Sequence, residues 1–141
     1  MSGPSPNLAW SELACKDASQ TPYPAEWRDT RALELAAAFE AVRAEFGHPL
    51  IVLSGYRTEA HNRKVGGARF SQHVQGRAVD IRPATGGVRY LRVLAKAALR
   101  VIETQPGVIG GFAEYPSFIH IDVRPGKLAR WSGQRVDADR A

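Results

Sequence analysis

Two short apolar runs in this chain each contain one polar residue of a type that binds metals. The alternation predicts strands over residues 77–82, which contain Asp80, and over 118–123, which contain His120. Successive side chains of a strand point to opposite faces, so Asp80 and His120 point away from the apolar face of their neighbours. If the strands pair, the two polar faces converge, because cross-strand Cβ atoms lie about 5 Å apart. The pattern therefore indicates a sheet with one buried face and one polar face.

Two amphipathic helices are predicted to cover the apolar face of this sheet. Apolar residues recur at helical spacing over residues 28–46 and over 87–104. Gly47 can end the first helix, and the Pro-Gly pair at 106–107 stops the second. Shorter runs predict strands over 50–53 and 108–112 and a short helix over 58–64. Together these elements predict an α+β domain, with a small, mainly antiparallel sheet packed against two helices.

The chain has 141 residues, a length that suits one domain. Residues 1–27 are rich in proline, serine and other polar residues, and we expect an irregular arm there with at most one short turn. Residues 28–131 are predicted to form the single domain. Residues 132–141 are predicted to form a flexible C-terminal tail.

Charge and cysteine content narrow the possible partners and metal sites. The net charge of +5 favours an anionic partner, but the basic residues are scattered, which argues against nucleic acid. The single cysteine, Cys15, excludes an internal disulfide and a zinc–thiolate cage, so a zinc site must use histidines and carboxylates. No segment is long and apolar enough for a membrane span, and the N-terminus lacks the features of a signal peptide.

His73 can complete a metal site with the two strand residues. It precedes Asp80 beyond Gly76, and a turn at that glycine can bring its imidazole back over the strand. His73, Asp80 and His120 would then supply three ligands of a zinc site whose fourth position is free for water, an arrangement typical of hydrolytic zinc. The alternative is a strand aspartate paired with a neighbouring arginine, together with two unrelated surface histidines.

Five sequence blocks, in this order, resemble the M15 peptidases, the D-Ala-D-Ala carboxypeptidase family of the bacterial cell wall. The blocks are Ser54-Gly-Tyr-Arg57, His61-Asn62, Val65-Gly-Gly-Ala68, Ser71-Gln-His-Val-Gln-Gly-Arg-Ala-Val-Asp-Ile81 and Phe118-Ile-His-Ile-Asp-Val123. The last block and the following Arg130-Trp131 are most similar to a small branch that includes murein endopeptidases and phage-encoded proteins. The resemblance implies a hedgehog/D-Ala-D-Ala-peptidase-like fold.

The same resemblance implies roles for individual residues. His73, Asp80 and His120 match the zinc ligands of the family, with Zn2+ as cofactor. Arg57 matches an arginine that binds the substrate carboxylate or stabilises the oxyanion, a role that suits a permanently charged, forked donor. Its alternative role is a structural ion pair. Ser71 and Tyr56 are expected beside the substrate; Ser71 could equally cap its loop.

The sequence differs from the family pattern at the position of the general base. Studied members place an acidic residue or a histidine shortly before the last zinc ligand, whereas residues 117–119 here are Ser-Phe-Ile. Asp122, on the strand face of His120, and Glu114 are the nearest candidates for this catalytic role, and a base must come within about 3 Å of the water. Asp122 could instead orient His120 as a carboxylate behind the ligand.

The resemblance implies zinc-dependent hydrolysis of peptide bonds in peptidoglycan, by a D,D-endopeptidase or a D,D-carboxypeptidase. The expected partners are peptidoglycan peptide stems. Enzymes that cut the L-Ala–D-Glu bond share the architecture, so the cleaved bond stays open. With no signal peptide, we expect delivery to the cell wall by a phage particle or by lysis, or a cytoplasmic location until release. The alternative function is a non-catalytic zinc-bearing structural or binding module, for example a phage tail component.

Overall fold

The structure, a computed structural model, describes residues 2–135 of the chain, so most of the predicted C-terminal tail lies outside it. The elements, in chain order, are α1 (Trp10–Leu13), a 3-10 turn (Ala25–Trp27), α2 (Arg31–Phe46), β1 (Leu50–Ser54), α3 (Glu59–Lys64), β2 (Ala78–Pro83), α4 (Gly87–Thr104), β3 (Gly111–Glu114), β4 (Ile119–Asp122) and β5 (Ala129–Ser132). Among these residues no helix combines the length and the apolar character needed to cross a membrane.

The strands form one sheet in the order β1-β2-β4-β3-β5. Every neighbouring pair is antiparallel except β3 and β5, which are parallel. Helices α2 and α4 pack on one face of the sheet and on each other. The core between them is built mainly from Leu35, Phe39, Val42, Val79, Ile81, Leu94, Val101, Phe112, Ile119 and Ile121. The predicted α+β architecture is therefore confirmed.

The two predicted helices form, with one change in their limits. Helix α4 has the predicted range, and α2 ends where Gly47 adopts a left-handed φ of 82° and donates to the carbonyl of Arg43. The start of α2 is Arg31 and not residue 28. The preceding residues form a separate 3-10 turn, and Thr30 has φ −130° and ψ −93°, which a continuous helix cannot accommodate.

The strand predictions hold best in the centre of the sheet. Strands β2 and β4 lie where the alternation predicts them. The strand predicted over 108–112 instead begins at Gly111. A Cβ on Gly110 would lie 2.1 Å from the Arg124 carbonyl oxygen, so the chain approaches too closely there for any side chain. The sequence does not predict β5, whose residues are half-buried to exposed.

The N-terminal segment is largely irregular, with a short helix where a turn is predicted, and it packs against the domain. The side chains of Leu8, Leu13 and Tyr23 are buried. The Glu40 carboxylate on α2 accepts hydrogen bonds from Ser5 and from Asn7. These contacts attach the segment to the helical layer.

Candidate metal centre

One row of residues crosses all five strands on the face opposite the helices. The register aligns one residue from each strand in the order Ser54, Asp80, His120, Ala113 and Trp131. The neighbouring residues along β2 and β4 belong to the apolar core, so alternation directs the row to the other face. The predicted convergence of Asp80 and His120 is therefore confirmed, because they are direct cross-strand partners.

A turn in the loop before β2 carries His73 to this row. Gly76 has a φ of 69°, and its N–H donates to the His73 carbonyl. A Cβ on Gly76 would lie 2.6 Å from the Trp27 ring, and the Tyr23 hydroxyl donates to the Gly76 carbonyl at 2.6 Å. The backbone N–H of Arg57 donates to the His73 carbonyl at 3.1 Å, which ties the loop to the chain after β1.

His73, Asp80 and His120 form a buried cluster whose possible ligand atoms all lie within 4.8 Å of one another. The Nε2 atom of His73 is 3.2 Å from Asp80 Oδ2, and the Nδ1 atom of His120 is 3.0 Å from Asp80 Oδ1. Two imidazole nitrogens and one carboxylate oxygen are the donor set of many catalytic zinc sites. The cluster could hold a metal ion.

The hydrogen bonds behind the two histidines fit this interpretation. His73 Nδ1 is 2.7 Å from the Gly55 carbonyl oxygen, which can only accept, so we assign the proton to Nδ1 and the lone pair to Nε2. His120 Nε2 is 2.8 Å from Asp122 Oδ2, so Nε2 donates there and Nδ1 is left for a metal. Such outer contacts fix the tautomer and ring orientation of metal-binding histidines.

In the metal-free chain, the pKa values of all three residues of the cluster are shifted from their ordinary values. Burial would raise the pKa of Asp80, but His73 and His120 outweigh it and hold that pKa well below its usual range. Burial lowers the pKa of His73. Burial acts in the same direction on His120, but its hydrogen bonds with Asp122 and Asp80 prevail and raise the pKa to about 9. His120 therefore carries a proton at neutral pH that a metal ion must displace.

Asp122 lies behind His120. Its carboxylate is fully buried and accepts hydrogen bonds from Arg124 as well as His120. Burial would raise the pKa of Asp122, but His120 and Arg124 hold it well below its usual range. Gly111 makes room for the carboxylate, since a Cβ there would lie 2.3 Å from Asp122 Oδ2. Because Asp122 meets Nε2 and the cluster meets Nδ1, the geometry supports the orienting role over that of a general base.

Glu114, the other candidate base, is exposed at the end of β3. It shares a strand face with Phe112, which belongs to the core between the sheet and the helices. Its backbone pairs with Ile119 and not with His120. The geometry therefore brings Glu114 to the side of the sheet away from the cluster.

Arg57 and Ser71 border the cluster. The Arg57 guanidinium is buried, with Nη2 3.4 Å from Asp80 Oδ2, Nε 3.1 Å from Ser54 Oγ and Nη1 3.1 Å from Asn62 Oδ1. Ser71 Oγ accepts from the His73 N–H at 3.1 Å, as a loop cap would. Both residues line the cavity above the cluster, so a substrate contact and a structural role are compatible for each.

Tyr56, the third predicted substrate contact, does not line this cavity. Its ring packs edge-on against Tyr23 and Trp27, at centroid distances of 6.2 Å to each. Its backbone N–H donates to the carbonyl of Leu13. These contacts join the N-terminal segment to the domain, and the cavity geometry gives no support to a substrate contact by Tyr56.

The cavity above the cluster has a volume of about 290 Å³ and a wall that the sequence does not predict. We call Tyr115, Phe118 and Trp131 the aromatic wall. Tyr115 and Phe118 stack with ring centroids 4.6 Å apart, and Trp131 Nε1 donates to the Tyr115 hydroxyl at 2.9 Å. The Trp131 ring lies 5.2 Å from the His120 ring. Small Ala113, between His120 and Trp131 in the row, leaves room for this approach.

Two arginines also line the cavity without having been predicted there: Arg124, bound to Asp122, and Arg135, which donates to the Val65 carbonyl. Arg135 lies just beyond β5. Only the position of β5 beside β3 brings Trp131 and Arg135 to the cavity, and no local sequence pattern indicates that parallel pairing.

Comparison with protein families identifies a related family. A family model described as Peptidase M15 matches residues 6–122, which include all three residues of the cluster. The matched region ends before β5 and so excludes Trp131 and Arg135. Curated protein sequences give no significant match.

Proposed function

The chain belongs to the peptidase M15 family, and on that premise we propose that it hydrolyses peptide bonds in bacterial peptidoglycan with a zinc ion held by His73, Asp80 and His120. The family is one of metal-dependent peptidases. The bond is proposed to be a D,D cross-link or a terminal D-Ala linkage.

The observation that carries the proposal is the buried cluster at an accessible cavity. His73 Nε2, His120 Nδ1 and one carboxylate oxygen of Asp80 face one another, and the other nitrogen of each histidine is held by an acceptor behind it. When bound, zinc lowers the pKa of water and polarises a carbonyl group. Arg57 adds a permanent positive charge beside Asp80, where it can bind a substrate carboxylate or stabilise negative charge that develops on a carbonyl oxygen.

The choice of peptidoglycan rests on sequence resemblance and charge. The five blocks that resemble the cell-wall family include every residue of the cluster and Arg57. The cavity wall carries Arg57, Arg124 and Arg135, and the chain has a net charge of +5. These charges complement the carboxylates of peptide stems and the anionic cell wall. Delivery to the wall by a phage particle or by lysis remains part of the proposal.

A second candidate is a zinc-bearing module without turnover, for example in a phage tail. One observation favours it: among the described residues that line the cavity, Asp80 is the only carboxylate. A hydrolase needs a group that takes a proton from water within about 3 Å. The two candidates therefore make opposite predictions for the same digestion experiment.

The test is to incubate the zinc-loaded protein with isolated peptidoglycan and to identify the released fragments by mass spectrometry. The chelated protein and His120→Ala are the inactive controls. Glu103→Gln, an exposed change on α4, is the matched control that should behave like the wild type. We expect new peptide termini with wild type and Glu103→Gln only, and the fragment masses identify the bond. Zinc bound at one equivalent without cleavage of several wall chemotypes would favour the non-catalytic module.

A further inference from the structure

An exposed phenylalanine stands at the rim of the metal cavity. Phe70 is 83% exposed, the highest value among the large apolar side chains that the structure leaves exposed. It lies in the loop between α3 and β2, which also carries His73. A ligand that covered this ring would remove apolar surface from water, which favours binding.

Phe70 separates two adjoining cavities. The metal cavity has a volume of about 290 Å³, and a second cavity of about 550 Å³ lies next to it. Gly67, Phe70 and Ser71 line both. A ligand long enough to leave the metal cavity on this side would pass over the Phe70 ring.

The second cavity is chemically suited to an acidic peptide. Arg63 and Arg69 line it against a single acidic residue, Glu59, and the exposed Gln75 offers an amide group. The Arg69 guanidinium lies 5.3 Å from the centre of the Phe70 ring, so an aromatic surface and a cation are presented together. Guanidinium groups bind carboxylates in a forked geometry.

The loop that carries Phe70 is held by α3. Gly67 N–H donates to the Asn62 carbonyl at 2.8 Å, and the Asn62 side chain donates to the Ala68 carbonyl at 2.8 Å. A Cβ on Gly67 would lie 2.0 Å from Asn62 Oδ1, so the contact needs glycine. Asn62 Oδ1 also accepts from Arg57, which joins this loop to the metal cavity. Phe70 is thus presented from a fixed backbone.

We propose that the second cavity is a substrate subsite. It binds an acidic peptide segment next to the cleaved bond, and Phe70 is the contact residue between the two cavities. This inference rests on the proposed function and deepens it, because such a subsite selects an extended polymer over a short peptide. It predicts that a change in the subsite weakens the use of a long substrate more than the use of a short one.

The experiment compares Phe70→Ala with the wild type on isolated peptidoglycan and on a short acyl-D-Ala-D-Ala peptide that fills only the metal cavity. We expect KM for peptidoglycan to rise about tenfold, which corresponds to the loss of a contact of about 1.4 kcal/mol. Activity on the short peptide should fall much less than activity on peptidoglycan, since Phe70 only borders the metal cavity, and the melting temperature should stay the same. Val88→Ala, an exposed change on α4 at a side chain that is 64% exposed, is the matched control and should change neither KM.

A second variant tests the charge. Arg69→Gln should also raise KM for peptidoglycan, and the effect should shrink in high salt. An unchanged KM for peptidoglycan in Phe70→Ala would overturn the subsite. An equal loss on both substrates would also overturn it, because the loop would then only support the metal centre.

Binding separates this inference from the proposed function. Zinc-loaded wild type, Phe70→Ala and Val88→Ala are sedimented with isolated peptidoglycan, and the bound fraction is measured. If the wild type cleaves neither substrate, the proposed function fails. Weaker sedimentation of Phe70→Ala alone would then still support the subsite, and equal sedimentation of all three proteins would reject it.

Discussion

Replacement of Asp122 by asparagine separates the two roles that the sequence allows for this residue. Asp122 Oδ2 accepts from His120 Nε2 and from Arg124 Nη2, while Oδ1 accepts from the backbone N–H and from Nε of Arg124. An asparagine side chain has one accepting oxygen and one donating nitrogen, so it cannot accept at both positions. If its nitrogen faces His120, it stabilises the tautomer with the proton on Nδ1, the atom that must be free for the metal.

The expected loss of zinc affinity follows from the position of Asp122 behind the metal-binding residue His120. Loss of an outer hydrogen-bond partner typically weakens metal affinity about 10–100-fold. That range corresponds to about 1.4–2.7 kcal/mol of binding free energy. We therefore expect Asp122→Asn to weaken zinc binding by this factor. Since Asp122 is fully buried, the metal-free protein should also lose stability, because Arg124 loses part of its pairing.

The assay is competition for zinc against a fluorescent chelator, together with melting curves of the zinc-loaded and metal-free proteins. The difference between the two melting temperatures should be smaller in Asp122→Asn than in the wild type. Arg124→Gln leaves the carboxylate beside His120 and should have the smaller effect on zinc affinity. If Asp122→Asn binds zinc like the wild type but loses about a thousandfold or more in kcat, the orienting role is refuted and Asp122 acts as the base.

Three further predictions concern the same centre. Chelation should lower the melting temperature of zinc-loaded protein, and His73→Ala should abolish that difference; an unchanged melting curve in chelator would contradict the metal site. Because the raised pKa of His120, about 9, leaves a proton for the metal to displace, zinc affinity should rise about tenfold per unit from about pH 7 and level off above about pH 9. Competition titrations across this range measure it, and a flat profile would be evidence against the protonated histidine. Gly111→Ala should weaken zinc binding in the same chelator assay, since its Cβ would displace the Asp122 carboxylate; unchanged affinity would show that the sheet relaxes instead.

The centre of the fold was predictable because its signals are local. Alternation along β2 and β4 separates Asp80 and His120 from their apolar neighbours, and antiparallel pairing then makes them partners. The range of α4 follows from helical periodicity and from the Pro-Gly pair after it. Gly47 ends α2 because it can adopt a positive φ at little cost.

The part of the cavity wall that β5 contributes was not predictable, because its position depends on contacts that are distant in the sequence. Strand β5 is at the edge of the sheet and is exposed over most of its length. It pairs in parallel with β3, although β4 lies between these two strands in the sequence. Such pairing depends on long-range contacts that leave no periodic pattern. Alternation also predicts that Asp122 and His120 share one face of β4. It does not predict which nitrogen of the His120 ring contacts Asp122, and only the side-chain positions in the structure show that this is Nε2.

The row across the sheet explains how one register determines both the core and the metal centre. A slip by one residue in β2 or β4 would turn Asp80 or His120 into the apolar layer and expose the core side chains, so burial of that layer also positions the ligands. The ligands lie within the region that matches the family, whereas Trp131 and Arg135 lie beyond it. The metal ligands and one part of the cavity wall therefore belong to different segments. Substitutions in β5 that keep its backbone pairing with β3 should change which substrates fit while the metal ligands keep their positions.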